Sequence, residues 1–164
     1  MFQLLAAAAI ALLTVLDRLT KQLAVSTVKV HGPKPFLFGL FQFRYVENTG
    51  AAFSSFSQKT TLLTVVTLVI LAAGLTLLML HKFRSRFVNV CVVLVLAGGL
   101  GNVIDRILYG YVVDFIEPLF VDFAVFNFAD CCITVGAILL ICYELRSFLT
   151  ERKKTNDHGN DPSN

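Results

Sequence analysis

Charge is scarce in this sequence. Of 164 residues, 14 are Lys or Arg and 11 are Asp or Glu, so 15% are charged against 56% hydrophobic, and mean hydropathy is +0.74. A soluble domain carries about 25% charged residues, so this composition excludes an ordinary soluble fold and points to an integral membrane protein. The net charge of +3 says little by itself. Metal-binding patterns are missing too. His31, His81 and His158 are scattered, and Cys91, Cys131, Cys132 and Cys142 lie in apolar runs with neither metal-ligand nor disulfide-framework spacing. The cysteines read as small buried apolar residues. No serine or cysteine has an obvious base partner, which speaks against a serine or cysteine nucleophile. No repeat with paired broken helices is visible, which speaks against a transporter built on one.

Long apolar runs are what the chain does have. At about 20 residues per spanning helix, they predict spans over residues 2–24, 61–80, 87–108 and 129–149. The first could be a cleavable signal peptide. However, no Lys or Arg precedes the apolar run and it continues past Asp17, so an uncleaved anchor is expected. The sizeable non-spanning piece, residues 30–58, opens with Gly32, Pro33 and Pro35. It then alternates aromatics from Phe36 to Val46, a pattern for one or two short strands on the membrane surface, and turns at Asn48-Thr49-Gly50. Residues 150–164 are polar without periodicity and read as a disordered tail. The whole chain, 1–164, is read as one membrane-embedded domain.

Basic residues set the orientation. Lys82, Arg84 and Arg86 fill the link after the second span, and Arg146, Arg152, Lys153 and Lys154 follow the fourth. The loop after the third span carries Asp114, Glu117 and Asp122 instead. The positive-inside rule then puts both termini in the cytoplasm and the strand-like segment and acidic loop outside.

Depth along the helices groups the polar residues. At 1.5 Å per residue, Asp17 and Asn102 each lie about 22 Å along their spans, with Lys21 and Asp105 at about 28 and 27 Å. Against a core of about 30 Å, all four approach the outer edge, where Asp130 begins the fourth span. Ionisable groups at depth cost about 2.5–3.5 kcal/mol each and mark function. Each also has a plainer reading. Asp17 and Lys21 are an i, i+4 pair able to neutralise one another, and Arg18 could snorkel. Gly98, Gly99 and Gly101 allow close helix packing. Asp105 and Arg106, within one turn of Asn102, could tie the third helix to loops around a site. Asn127 and Asp130 have the spacing of a capping-box variant, but a cap does not account for a second carboxylate, Asp114, inside the apolar run YVVDFI. Glu117 and Asp122 read as solvated.

Two carboxylates brought together at a water–lipid boundary would share a proton. One could then act as base on a water and the other as acid to a carbonyl, without a metal. A proton-coupled channel or small transporter is the alternative, but the charged groups leave the cytoplasmic half apolar, so no pathway crosses. A non-catalytic scaffold leaves Asp114 without a role.

The chain also carries Asp17-x-x-x-Lys21, Asn48-Thr49-Gly50-Ala51-Ala52-Phe53, Gly98-Gly99-x-Gly101-Asn102-x-x-Asp105-Arg106, Val112-Val113-Asp114-Phe115 and Phe126-Asn127-x-Ala129-Asp130. In this order, over nearly the whole chain, these motifs resemble the bacterial lipoprotein signal peptidases, or signal peptidase II. The resemblance implies a multi-pass α-helical membrane protein with four transmembrane helices and a small extracytoplasmic β-sheet, or cradle, between the first and second. It implies an intramembrane aspartyl endopeptidase with Asp114 and Asp130 catalytic. Asn48, Gly50, Asn102, Arg106, Asn127 and Ala129 would hold substrate or order the site, with Asp17, Lys21 and Asp105 as structural support. No metal or cofactor is implied. The implied substrates are diacylglyceryl-modified prolipoproteins, cut just before the lipidated cysteine. The implied setting is the bacterial cytoplasmic (inner) membrane, with the site near the outer leaflet and membrane lipids around a monomer that has no nucleic-acid partner.

Overall fold

The computed structural model describes residues 2–50, 60–83 and 85–159. Within them, four helices are long and apolar enough to cross a membrane. They are α1 (Phe2–His31), α2 (Thr60–Met79), α3 (Arg86–Tyr109) and α4 (Phe128–Gly159). Strands β1 (Lys34–Phe36) and β2 (Phe41–Asn48) lie between α1 and α2, and β3 (Val112–Pro118) lies between α3 and α4. Ala51, Ala52 and Phe53 of the second motif, the rest of the outer segment through residue 58, Arg84 of the basic link and residues 160–164 of the tail lie outside the described residues.

The bundle is built around α3. Its apolar residues run round the whole helix, and an all-round apolar helix is an enclosed one. Accordingly 67% of its spanning stretch is buried, against 6% for α2, and it packs on α1, α2 and α4. The main core joins Ala6 and Ile10 of α1 and Leu78 of α2 to Val88, Val92 and Leu96 of α3. The outward leucines and valines of α2, such as Leu62, Val65 and Val69, stay exposed, as befits a surface that meets lipid.

Three boundaries differ from expectation. The first helix continues seven residues beyond Ala24, because Ala24 and Val28 are buried against Phe115 of the sheet. It stops at Gly32, whose φ of 83° suits glycine, followed by Pro33. The expected disordered tail is helical as far as Gly159, since no glycine or proline interrupts residues 137–158. The sheet is also larger than expected. It is antiparallel in the order β1-β2-β3, so its third strand comes from the loop after α3. Asp114 therefore sits on a strand rather than in a loop, because VVDFI pairs with β2: Val46 faces Asp114 and Asn48 faces Val112. A register irregularity between Phe43 and Val46 separates this pairing from the outer one of Phe41 with Pro118. Phe36 stacks on Phe43 with ring centroids 4.1 Å apart, and Phe41 meets Phe120 edge-on.

Two devices bring β3 and α4 back to α3. Gly110, at φ 81°, closes α3 by donating its N–H to the Arg106 carbonyl at 3.0 Å, and β3 begins two residues later. Glycines then set how near the helices come. A Cβ on Gly98 would collide with the Ala129 carbonyl and sit 2.8 Å from Ile133 Cγ1, both on α4. One on Gly99 would meet only the Leu71 side chain of α2, and one on Gly101 would strike the Asp17 carboxylate of α1. The three glycines thus face three different helices.

Gly98→Ala is expected to cost about 1–3 kcal/mol, because a backbone carbonyl cannot turn aside. Gly99→Ala should be nearly silent, because a leucine tip can. Thermal unfolding in detergent would compare them, and equal midpoints would contradict the packing argument.

Candidate active site

The two carboxylates reach one site from separate elements. Asp114 points from β3, with Val112, toward the cavity described below, while the intervening Val113 points to the other face of the strand. Asp130 stands in the first turn of α4. The turn is held by a reciprocal cap. Asn127 Oδ1 accepts the Asp130 N–H at 2.9 Å, and Asp130 Oδ2 accepts the Asn127 N–H at 3.1 Å. This is the capping box read from the spacing, and it occupies only one oxygen of Asp130.

The other oxygens tie the site together. Asp130 Oδ1 accepts from Asn102 Nδ2 of α3 at 2.8 Å. Asp114 Oδ1 accepts from Asn127 Nδ2 at 2.6 Å, and Asp114 Oδ2 accepts from Asn48 Nδ2 of β2 at 2.8 Å. Asn127 Nδ2 also donates to Asn102 Oδ1 at 3.2 Å. One fully buried asparagine therefore spans both acids. Asn48 is held in turn, its Oδ1 accepting the Gly50 N–H at 2.9 Å, and the Gly50 carbonyl accepts from Arg106 at 3.2 Å.

Behind this layer lies a buried charge cluster. Lys21 Nζ is 2.8 Å from Asp17 Oδ2 and 3.0 Å from Asp105 Oδ2, all three side chains being at most 2% exposed. It also donates to Asn102 Oδ1 at 3.0 Å. Asp17 Oδ1 accepts the Ala129 N–H at 3.0 Å, so α1 holds the start of α4. Asp105 Oδ2 accepts the Val113 N–H at 3.1 Å, so α3 holds β3 beside Asp114. For Arg18 the sequence leaves snorkelling open. The side chain instead pairs with Asp105 and donates to the Tyr109 hydroxyl at 2.9 Å, closing the cluster at two positive and two negative charges. Glu117, read as solvated, is paired across the sheet with Arg44 at 2.7 Å and with Gln42.

The acids open on a cavity of about 440 Å³. Asn48, Asn102, Arg106, Asp114 and Asp130 form its polar end. Its walls are apolar, from Phe123, Val125 and Phe126 of the loop before α4 and from Ile133 and Val135 of that helix. Arg106 is the cation among the described residues lining it. Asp114 is only 2% exposed. Burial first, and the neighbouring negative charge of Asp130 second, push its pKa up to about 7, with the Asn48 and Asn127 hydrogen bonds opposing the rise. A carboxyl that keeps its proton near neutral pH beside a second carboxylate can serve as an acid while its neighbour serves as a base.

Of the residues the resemblance implicates, Asn48, Gly50, Asn102, Arg106, Asp114, Asn127 and Asp130 lie at the cavity or in the hydrogen-bond network around it, and Asp17, Lys21, Asp105 and Ala129 lie in the layer behind. Gly50 and Ala129 contribute through backbone groups. The sequence reading missed the cavity wall of residues 123–126 and the Arg18–Tyr109 brace. The first had a signal in the apolar run AVF ahead of Asn127, while the second joins residues 91 positions apart and left none.

Residues 9–146 match the family model for signal peptidase (SPase) II. The lipoprotein signal peptidases of Streptococcus pyogenes serotypes M5 and M18 are each 38% identical over 130 residues, covering 79% of this chain and 86% of theirs. A bacterial membrane enzyme solved by the in meso method at 2.3 Å superposes with a TM-score of 0.80 at 32% identity, covering 87% of this chain and 88% of its own. A second, at 1.9 Å, gives 0.76 at 33% identity, covering 85% and 92%. With the family model spanning most of the sequence, and with four membrane-length helices carrying the match, this chain belongs to the signal peptidase II family, the aspartic-type signal peptidases of bacterial membranes.

Proposed function

We propose that this enzyme removes signal peptides from diacylglyceryl-modified prolipoproteins, cutting just before the lipidated cysteine, with Asp114 and Asp130 as the acid–base pair. The observation that carries the reading is the convergence of the two carboxylates, from β3 and α4, on one apolar-walled cavity through Asn127. Family membership supports the substrate class.

Asp114 starts with the shared proton, because burial and Asp130 both resist its ionisation. Asp130 takes a proton from a water, and the oxygen attacks the carbonyl carbon of the residue before the lipidated cysteine. Asp114 gives its proton to the carbonyl oxygen, forming a neutral tetrahedral diol. Collapse breaks the C–N bond as the nitrogen takes a proton from Asp130 and one hydroxyl of the diol returns its proton to Asp114, which restores the pair. The signal peptide leaves with a new carboxyl terminus and the lipoprotein with a free cysteine amine. Asn48, Asn102 and Asn127 hold the acids, Arg106 and Gly50 order the rim, and Asp17, Lys21, Asp105 and Ala129 brace the elements behind.

The membrane placement belongs to the same reading. Both termini are cytoplasmic, and the sheet lies on the outer face. A diacylated cysteine anchored in the outer leaflet thus brings its peptide bond to the acids. Restricting the substrate to the membrane plane and orienting it supplies much of the rate. The enzyme acts as a monomer among membrane lipids.

The test is incubation of purified protein in detergent with a diacylated prolipoprotein, read as a mobility shift on a gel. No shift at any enzyme concentration would overturn the assignment. The same assay gives a pH prediction. Loss of the Asp114 proton removes the acid, so the rate should fall as pH rises through about 7. A rate flat to about two units above that would argue against Asp114 as the proton donor.

A further inference from the structure

Lys21 lies outside the acid pair, yet its bonds fix the orientation of a group that touches it. An ammonium has three N–H donors and no acceptor. At Lys21 the partners are Asp17 of its own helix, Asp105 of α3 and Asn102 Oδ1. The Asn102 carbonyl is therefore held toward Lys21, and its NH2 must face Asp130, donating to Oδ1 at 2.8 Å. Asn127 meets the same Asn102 oxygen from the other side, at the longer distance of 3.2 Å. Its oxygen is taken by the Asp130 N–H, leaving its NH2 to donate to Asn102 Oδ1 and Asp114 Oδ1. If Asn102 turned over, its oxygen would face Asp130 Oδ1, and only a protonated Asp130 could satisfy it.

We propose that Lys21 is a positioning residue of the reaction: acting through Asn102, it keeps an N–H donor on Asp130 and so makes Asp130, rather than Asp114, the base of the pair. This rests on the aspartyl-pair reading above. Among the described residues, the other charged or titratable groups facing the acids are Arg106 of α3, the Cys131 thiol beside Asp130 and the acids themselves. Lys21 thus sets the proton's place by orienting an amide it touches, while Arg106 lines the cavity directly.

Removing Lys21 alone would strand buried carboxylates, so the test pairs two changes. Asp17→Asn with Lys21→Met removes one charge of each sign, keeps Arg18 with Asp105, and leaves an oxygen at position 17 for the Ala129 N–H. Against Asp17→Asn alone, kcat is expected to fall about 100-fold with KM within about twofold. The acid limb of the pH–rate profile should move to higher pH, because the base has lost a donor that favours its charged form. Starting from Asn102→Ala, the same Lys21 change should have no further effect on kcat.

A measurement independent of turnover uses the infrared band of a protonated carboxyl group in the folded protein. The band should vanish with Asp114→Asn in the parent, and with Asp130→Asn once Lys21 is replaced. Unchanged kcat and pH limb in the paired variant, full additivity with Asn102→Ala, or a band that stays with Asp114 after Lys21 is replaced would each overturn the proposal. The acid-pair reading fails separately, if Asp114→Asn or Asp130→Asn still cleaves.

Discussion

Asp114→Asn and Asp130→Asn are each expected to lower cleavage of a diacylated prolipoprotein by about 10,000-fold or more while the protein still purifies folded. An amide has nearly the shape of a carboxyl group but neither takes a proton from water nor gives one to a carbonyl. The loss should therefore appear in kcat. Folding should survive because the charge at Asp114 opposes the fold. The sign follows from linkage. With its pKa raised from 3.8 to about 7, the folded state holds a proton there that the unfolded state has lost. The site's contribution to stability is thus full below about pH 4, falls as pH rises to about 7, and stays low above. Asp114→Asn removes that burden, at the cost of turning one amide N–H toward a neighbouring donor, about 1–3 kcal/mol. Thermal midpoints in detergent should therefore depend less on pH in Asp114→Asn than in the parent. Cleavage retained by either variant would remove that residue from the chemistry.

The four spans and the polar layer were legible in the sequence because both rest on local signals: apolar runs of membrane length, and polar residues at equal depth along separate helices. The capping box of Asn127 and Asp130 was legible for the same reason, being three residues wide. What stayed hidden depends on contacts between distant segments. VVDFI could not be seen as the third strand of a sheet whose other two lie about 65 to 85 residues earlier, because an apolar run with one acid reads equally as loop or strand. The length of α1 is decided by Val28 packing on Phe115, which no window around residue 28 reports. Arg18 read as an interfacial cation because its partner Asp105 is on another helix.

Asn127 carries the second large effect. It donates to Asp114 and Asn102, accepts from the Asp130 N–H, and gives its own N–H to Asp130, all at a fully buried position. Asn127→Ala removes the side-chain bonds at once. The helix start loses its cap, worth about 1 kcal/mol. Asp114 Oδ1 and the Asp130 N–H lose their partners, so the acids no longer share a frame. Activity should fall about 1,000-fold, for acids misplaced by about 1 Å lose much of the advantage of position. Asn127→Asp separates the two losses. Its carboxylate still caps the helix, so the thermal midpoint should recover relative to alanine, but it cannot donate to Asp114 and adds a third carboxyl group beside the pair. Its activity should stay near that of the alanine variant. Full activity in Asn127→Asp would mean that Asn127 serves only as a cap, and that the frame between the acids comes from Asn48 and Asn102.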